Sequence, residues 1–315
     1  SPTESAGPIQ ANVTPSLMYN VDMFKELNVE LPPTKVDKAW SWDKFVDIAK
    51  QLTLDENGNN AKSPKFDPKN IKQYGIQFAN TWISYMPFVY SNGGYYLSQD
   101  KTKFALNEKN AADAIQRIAD LSNVYHVSPS ATQSSSMPAP ATALQSKQVA
   151  MYIDGSWNHL DLAESGMNWG VGVLPINKNY TTFFDGGSLI IFKATKHLDE
   201  TWSLYKWVTN PESSPEITQM YRSIWMPVQT KYYTDKDEKF PARPKGFQDA
   251  VVNSTYEHQV RATEINVVNF DQINTLVSSA LDKVWLGKEK AVDALTEVKP
   301  QVDKMVGGTY FGDRS

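Results

Sequence analysis

One segment of the chain does more than fill space. Ala143-Leu-Gln-Ser-Lys-Gln-Val-Ala-Met-Tyr-Ile-Asp-Gly-Ser-Trp157 reads as a helical piece, a strand, then a Gly-containing turn that ends on a large ring. The turn sets that ring at a strand's end, where α/β proteins place ligands. Residues that make or break bonds are harder to find. The four histidines, His126, His159, His197 and His258, never fall at the i,i+2 or i,i+4 spacing of a metal face. No G-x-S-x-G, G-x-x-x-x-G-K-[ST] or G-x-G-x-x-G occurs, so hydrolase elbows, P-loops and dinucleotide folds lose sequence support. Gly170-Val-Gly172 is a fragment of the last pattern, and Pro175 follows where a helix should open. Asp55, Asn57 and Asn59 imitate the first ligands of a calcium loop, but the Gly comes two positions early and the twelfth position is Phe66 instead of Glu. A turn is expected there. The 35 carboxylates could contain a glycosidase pair, which one sequence cannot reveal. No cofactor, metal or catalytic residue is assigned.

The elements that must hold such a ring follow from periodicity. Ser41 should cap a helix whose Trp42, Phe45, Ile48, Ala49 and Leu52 keep helical spacing. Tyr74–Phe78 reads as a strand, and Asn107 as the cap of a helix through Ala111, Ile115, Ile118 and Leu121 to Tyr125. Residues 128–146 are rich in Ser, Ala, Thr and Pro and read as a mobile surface loop running into a short helix at 141–145. Three strands are expected at Gln148–Ile153, Trp169–Leu174 and Ser188–Phe192. Helices follow at 199–208, 249–258, 272–285 and 290–305. Strands interleaved with helices give an α/β fold class, with no internal repeat.

Composition bounds the function. At ~100–200 residues per domain, 315 residues suffice for two domains. A formal charge of -4, from 31 basic and 35 acidic side chains, supplies no basic stripe, so no nucleic-acid partner is expected. Mean hydropathy is -0.46, and no apolar run approaches the ~18–20 residues of a membrane span. The absence of Cys excludes disulfide scaffolds, thiol nucleophiles and Cys-ligated metals. Nine Trp among 15 Tyr and 13 Phe stand out, because amphipathic rings recur at ligand surfaces.

The segment ending at Trp157 resembles the "G-K-x-A-M-x-x-x-G-S-W" signature of the extracellular solute-binding proteins that deliver sugars to ABC importers, the maltodextrin-binding-protein family. Leu17-Met-Tyr-Asn-Val-Asp-Met-Phe-Lys-Glu26 is similar to the family's "L-Y-Y-N-K-D-L-F-K-K". Pro32-Pro33 with Trp42-Asp43 and Phe45 resembles "P-P-x-T-W-D-E-L", with an insertion. Gly93-Gly94-Tyr95, Gly186-Gly187-Ser188, Trp202 to Trp207 with Asn210-Pro211-Glu212, Met226-Pro227 and Trp285-Leu-Gly-Lys288 follow in the family's order. The resemblance implies a periplasmic-binding-protein-like two-lobe fold of type II that closes about a hinge. It also implies a block, on the order of 100 residues, ahead of this chain, so the N-terminal lobe is expected to be incomplete and the missing piece cut away. Residues 1–14 are then a hinge-proximal segment, 15–182 and 228–315 the second lobe, and 183–227 a return segment of the first.

A pyranose has apolar C–H faces and a rim of hydroxyls, so flat rings stack on the faces while polar groups satisfy the rim. By position in the family, Trp157 is the expected stacking platform, with Trp82 and Trp225 as further cleft rings. Asp185 is expected to accept hydroxyl hydrogen bonds beside Gly187, where the backbone approaches the ligand, and Asn274 to contribute from a C-terminal helix. Trp40, Trp42, Trp169, Trp202, Trp207 and Trp285 are assigned to packing. The implied function is non-catalytic carbohydrate binding in an extracytoplasmic setting. The implied partners are the sugar, ABC permease subunits and the missing N-terminal fragment, and a membrane is met only through a lipid anchor outside this chain. A glycosidase with an aromatic cleft, or a lipoprotein of the same fold binding a peptide or polyamine, are the competing readings.

Overall fold

The computed structural model describes residues 9–183, 185–210, 212–218, 243–260, 264 and 267–306. Five strands form the main sheet in the order β3-β4-β5-β2-β6: β2 (Pro15–Asn20), β3 (Leu54–Asp55), β4 (Ile71–Phe78), β5 (Val149–Gly155) and β6 (Trp169–Gly172). β1 (Ile9–Val13) belongs to a separate ribbon, described below. β5 is buried along its whole length, as its unbroken apolar run requires of a central strand. It runs parallel to β4, with Phe78 opposite Ile153, and antiparallel to β2. Parallel neighbours need a crossover, and the chain between β4 and β5 supplies α3 (Trp82–Ser91), α4 (Lys109–Asn123), α5 (Ala131–Ser134) and α6 (Pro140–Gln145). Two earlier helices, α1 (Val21–Glu26) and α2 (Trp42–Leu52), flank the β2 and β3 segments.

Helix α2 begins where its cap dictates: the Ser41 hydroxyl accepts from the Lys44 N–H at 3.2 Å. Its Phe45, Ile48, Ala49 and Leu52 are buried. Its approach to β4 is so close that a Cβ at Gly75 would lie 2.1 Å from the Ala49 carbonyl oxygen. The turn at 55–60 forms as expected. The Asp55 carboxylate accepts from the backbone N–H groups of Asn57, Asn59 and Asp67 at 2.8–3.0 Å, so its oxygens are spent on closing the loop.

The chain then passes through α7 (His159–Glu164) and β7 (Thr182–Phe183) to β8 (Asp185–Ser188). β8 pairs antiparallel with β1 in a two-stranded ribbon, Val13 opposite Asp185 and Ala11 opposite Gly187. After α8 (Leu198–Thr209), a π-helical turn at Gln248–Asn253 leads through α9 (Ser254–His258) to β9 (Gln259–Val260), which pairs with β7. Two long helices close the described chain, α10 (Phe270–Trp285) and α11 (Ala291–Val306), packed on each other and on α4.

Several expectations need correction. Asn107 does not cap α4: the helix starts at Lys109 with Glu108 before it, and the Asn107 amide instead approaches the Thr296 hydroxyl at 3.5 Å. Residues 128–146 hold two helices, the first closed by a reciprocal capping box between Ser130 and Gln133. The strand expected at 188–192 lies earlier, because the ladder with β1 ends at the Ile9–Ser188 pair and leaves Leu189, Ile190 and Phe192 exposed. Trp40, Trp42, Trp169 and Trp285 are buried, but Trp202 and Trp207 are 49% and 47% exposed. Helix α8 keeps its apolar spacing yet buries no residue, so its rings face outward, Trp202 stacked on Tyr205 at an 11° interplanar angle.

Candidate functional site

β4 and β5 are adjacent and parallel, so their carboxyl ends emerge on the same edge of the sheet. The chain leaving β4 turns into α3, whose first residue is Trp82; the chain leaving β5 turns at Gly155-Ser156 onto Trp157. Two of the sequence-predicted rings thus stand on the turns that leave neighbouring strand ends.

Trp157 is 38% exposed, although it follows a fully buried strand. Its ring lies across Gly155: a Cβ there would come within 2.1–2.4 Å of three ring carbons. Gly155 has φ -69° and ψ 156°, open to any residue, so the glycine is required by the ring rather than by the backbone. The Trp157 side chain lies close enough to the Asp154 carboxyl to help hold its acidity down. Asp154 is almost fully buried and also takes Asn158 Nδ2–H at 3.1 Å and the Ser84 hydroxyl at 3.4 Å. Burial pushes its carboxyl above the usual range against those donors. Ser84 belongs to α3, so this carboxylate ties the two ring-bearing turns together.

Trp82 is partly buried. Its indole packs against Phe183 at 5.1 Å and edge-on to Phe270 at 5.2 Å. Its Nε1–H donates to the Glu264 carboxylate at 3.2 Å, and the Tyr90 hydroxyl donates to both oxygens of the same group at 2.9 and 2.7 Å. Glu264 is wholly buried, which pushes its carboxyl upward. The buried hydroxyls of Tyr85 and Tyr96 lie in the field of that carboxyl and find no hydrogen-bond partner among the described residues; burial first, then Glu264 for Tyr85 and Tyr85 followed by Glu264 for Tyr96, push the phenols up.

Asn274 lies one helical turn beyond Phe270 on α10, and i,i+4 residues share a helix face. The side of α10 that meets Trp82 therefore carries a half-buried amide whose Oδ1 has no partner among the described residues. Asp185 and Gly187 lie in β8 of the ribbon, where their backbone positions are described. Trp225 lies outside the described residues. The structure thus sets Trp82 and Trp157 on the turns leaving neighbouring strands, and Asn274 one turn along the helix whose Phe270 packs on Trp82. It adds Asp154, Ser84, Asn158, Tyr90, Phe183, Glu264 and Phe270, which sequence reasoning missed. Asp154 stood in plain view three residues ahead of the ring; Glu264 sits 182 residues from Trp82 in sequence and carries no local pattern. Among the described residues no group of three or more metal-binding side chains converges, and no helix is long and apolar enough to cross a membrane.

The arrangement offers flat rings with polar edges and neutral hydrogen-bonding groups, together with two buried acids. It suits adhesion to a ligand with apolar faces. The model of a family described as bacterial extracellular solute-binding proteins matches residues 4–247. A curated relative, the sn-glycerol-3-phosphate-binding periplasmic protein UgpB of Rhizobium meliloti, is 23% identical over 90% of this chain and 63% of its own length. The chain therefore spans less than two thirds of that relative, and the same holds for UgpB of Agrobacterium fabrum, at 65%. Among solved structures, an ABC substrate-binding protein of Listeria monocytogenes in complex with cycloalternan superposes with a TM-score of 0.76, at 20% identity over 96% of this chain and 72% of that one. Maltose-bound MalE3 of T. maritima gives a TM-score of 0.73 at 14% identity, over 95% of this chain and 72% of that one. These likenesses establish the fold.

Proposed function

Because the chain belongs to the bacterial extracellular solute-binding protein family, we propose that it binds a neutral carbohydrate, without catalysis, for delivery to an ABC importer. The observation that carries this reading is the pair of indoles at the carboxyl ends of β4 and β5, one of them laid open across Gly155. Such a ring meets the C–H face of a pyranose, and hydroxyls find Asn274 and backbone groups nearby. Structural relatives solved with cycloalternan, maltose and acarbose support the class of ligand. The curated relatives are named for an anionic ligand, sn-glycerol 3-phosphate. Here Asp154 and Glu264 are buried beside both rings, and a phosphate brought close to them meets like charge in a low-dielectric setting. That favours the neutral sugar.

In this reading the β1–β8 ribbon is the hinge. Residues 15–182 and 228–315 form one lobe, and 183–227 belong to the other. The outward apolar face of Leu198, Trp202, Leu204 and Trp207 supports a packing surface for further polypeptide of that first lobe. The protein works outside the cytoplasm and presents its closed form to permease subunits.

The test is a thermal-shift and calorimetry panel of maltotriose, acarbose and sn-glycerol 3-phosphate, with chromatography of each mixture after incubation. A saccharide that raises the melting temperature and is recovered intact supports the reading. Cleaved saccharide would place the protein among glycosidases, and a response to the phosphate alone would reject the carbohydrate.

A further inference from the structure

Both candidate rings stand beside a buried carboxyl. Trp82 donates its indole N–H to Glu264 at 3.2 Å, and Trp157 lies across Gly155, next in sequence to Asp154, with its side chain close enough to help hold that carboxyl's acidity down. Both acids are buried, and their partners among the described residues are neutral donors: Tyr90 for Glu264, and Ser84 and Asn158 for Asp154. A buried carboxylate without a cation is costly to keep, and a merely structural anchor for a Trp edge could be a backbone carbonyl or an amide. A hydrogen bond from an indole N–H to a carboxyl oxygen is directional. It fixes an indole about both side-chain torsions by its edge while leaving a ring face to a ligand.

We propose that Glu264 and Asp154 are paired positioning residues that clamp Trp82 and Trp157 by their indole edges and so set the two-ring platform before ligand arrives. The proposal rests on the reading of these rings as a carbohydrate platform, although the clamp itself is a property of the unliganded protein. The Ser84 hydroxyl couples the two clamps, because it sits on the first turn of the Trp82 helix and donates to the acid that holds Trp157. Preorganising a binding surface in this way removes an ordering cost otherwise met on association.

The experiment follows the indole 1H–15N signals of Trp82 and Trp157 in the full chain, assigned with Trp82→Phe and Trp157→Phe. In Glu264→Ala the Trp82 signal shifts upfield and its N–H exchanges at least ten-fold faster, while the Trp157 signal holds; Asp154→Ala gives the reciprocal pattern. Glu264→Gln and Asp154→Asn, which keep an acceptor and the packing volume, give intermediate shifts and serve if an alanine variant does not fold. Maltotriose affinity falls about three- to ten-fold in each alanine variant and is partly restored in its amide counterpart, a graded response that loss of stability alone does not produce. Unmoved indole signals in the folded acid variants overturn the proposal. So does full retention of affinity in those variants where Trp157→Phe or Trp82→Phe weakens binding. A parent protein that ignores maltotriose counts against the carbohydrate reading and leaves the clamp decided by the indole signals.

Discussion

Gly155→Ala separates the ring platform from the fold more cleanly than removal of the ring does. Its backbone angles, φ -69° and ψ 156°, are ordinary for alanine. A methyl built there would sit 2.1 Å from one Trp157 ring carbon and 2.3 and 2.4 Å from two others, against a contact distance of ~3.5–4.0 Å. The deficit is more than one ångström, and the strand carrying Gly155 is fixed between β2 and β4, so the half-exposed ring is the group that moves. Swinging the indole off its seat costs about 0.5–1.5 kcal/mol of rotamer strain. It also carries the ring away from the Asp154 carboxyl that it adjoins. If Trp157 stacks on the ligand, losing the stack weakens binding by ~1–3 kcal/mol, which is about 5- to 150-fold in Kd. Isothermal calorimetry with the saccharide that most raises the parent's melting temperature, paired with a melt of the unliganded variant, reads both quantities. A folded Gly155→Ala protein with the parent's affinity refutes the assignment of Trp157 as a platform.

Gly75→Ala provides the contrast: its methyl meets the Ala49 backbone 2.1 Å away, which cannot swing aside, so denaturant melts should show a loss of about 3 kcal/mol or more whatever the ligand does. His159 is buried between Trp169 and Phe247 with neither ring nitrogen partnered among the described residues; burial, then the charge of Arg243, push its pKa down to about 3. The unfolded chain, titrating near 6.5, binds the proton first, so stability is full above that pH and declines toward pH 3. At pH 5 the loss is roughly 2 kcal/mol, and a His159→Phe protein should lack this slope when midpoints at pH 7 and pH 5 are compared. Trp202→Ser lies on an outward face and should change the denaturant midpoint of this chain by no more than about 0.5 kcal/mol.

The parts of the molecule readable from sequence are those whose cause is local. Ser41 announces α2 because a cap and an apolar stripe lie within one helix, and the run at 149–153 announces a central strand because burial on both faces leaves no alternation. Trp157 could be named because the whole Gly155-Ser156-Trp157 signature lies in one short segment, and the structure shows what its glycine is for, making room for the ring. Errors arose where a long-range partner decides. Asn107 has the chemistry of a cap but spends its amide on Thr296, 189 residues on. The apolar run at 189–192 has strand propensity without strand pairing among the described residues, and the Trp spacing in α8 looks like core while facing outward. The clamp at Trp82 depends on Glu264 and Tyr90, 174 residues apart, and no periodicity reports a contact of that kind.

The central claim is that the rings at the ends of β4 and β5 receive a carbohydrate. A crystal structure of the protein soaked with maltotriose tests it most directly. The account predicts a pyranose ring stacked on the exposed face of Trp157, its hydroxyls reaching toward the Trp82 and Asn274 side of the site. Saccharide bound elsewhere with Trp157 left bare would contradict it.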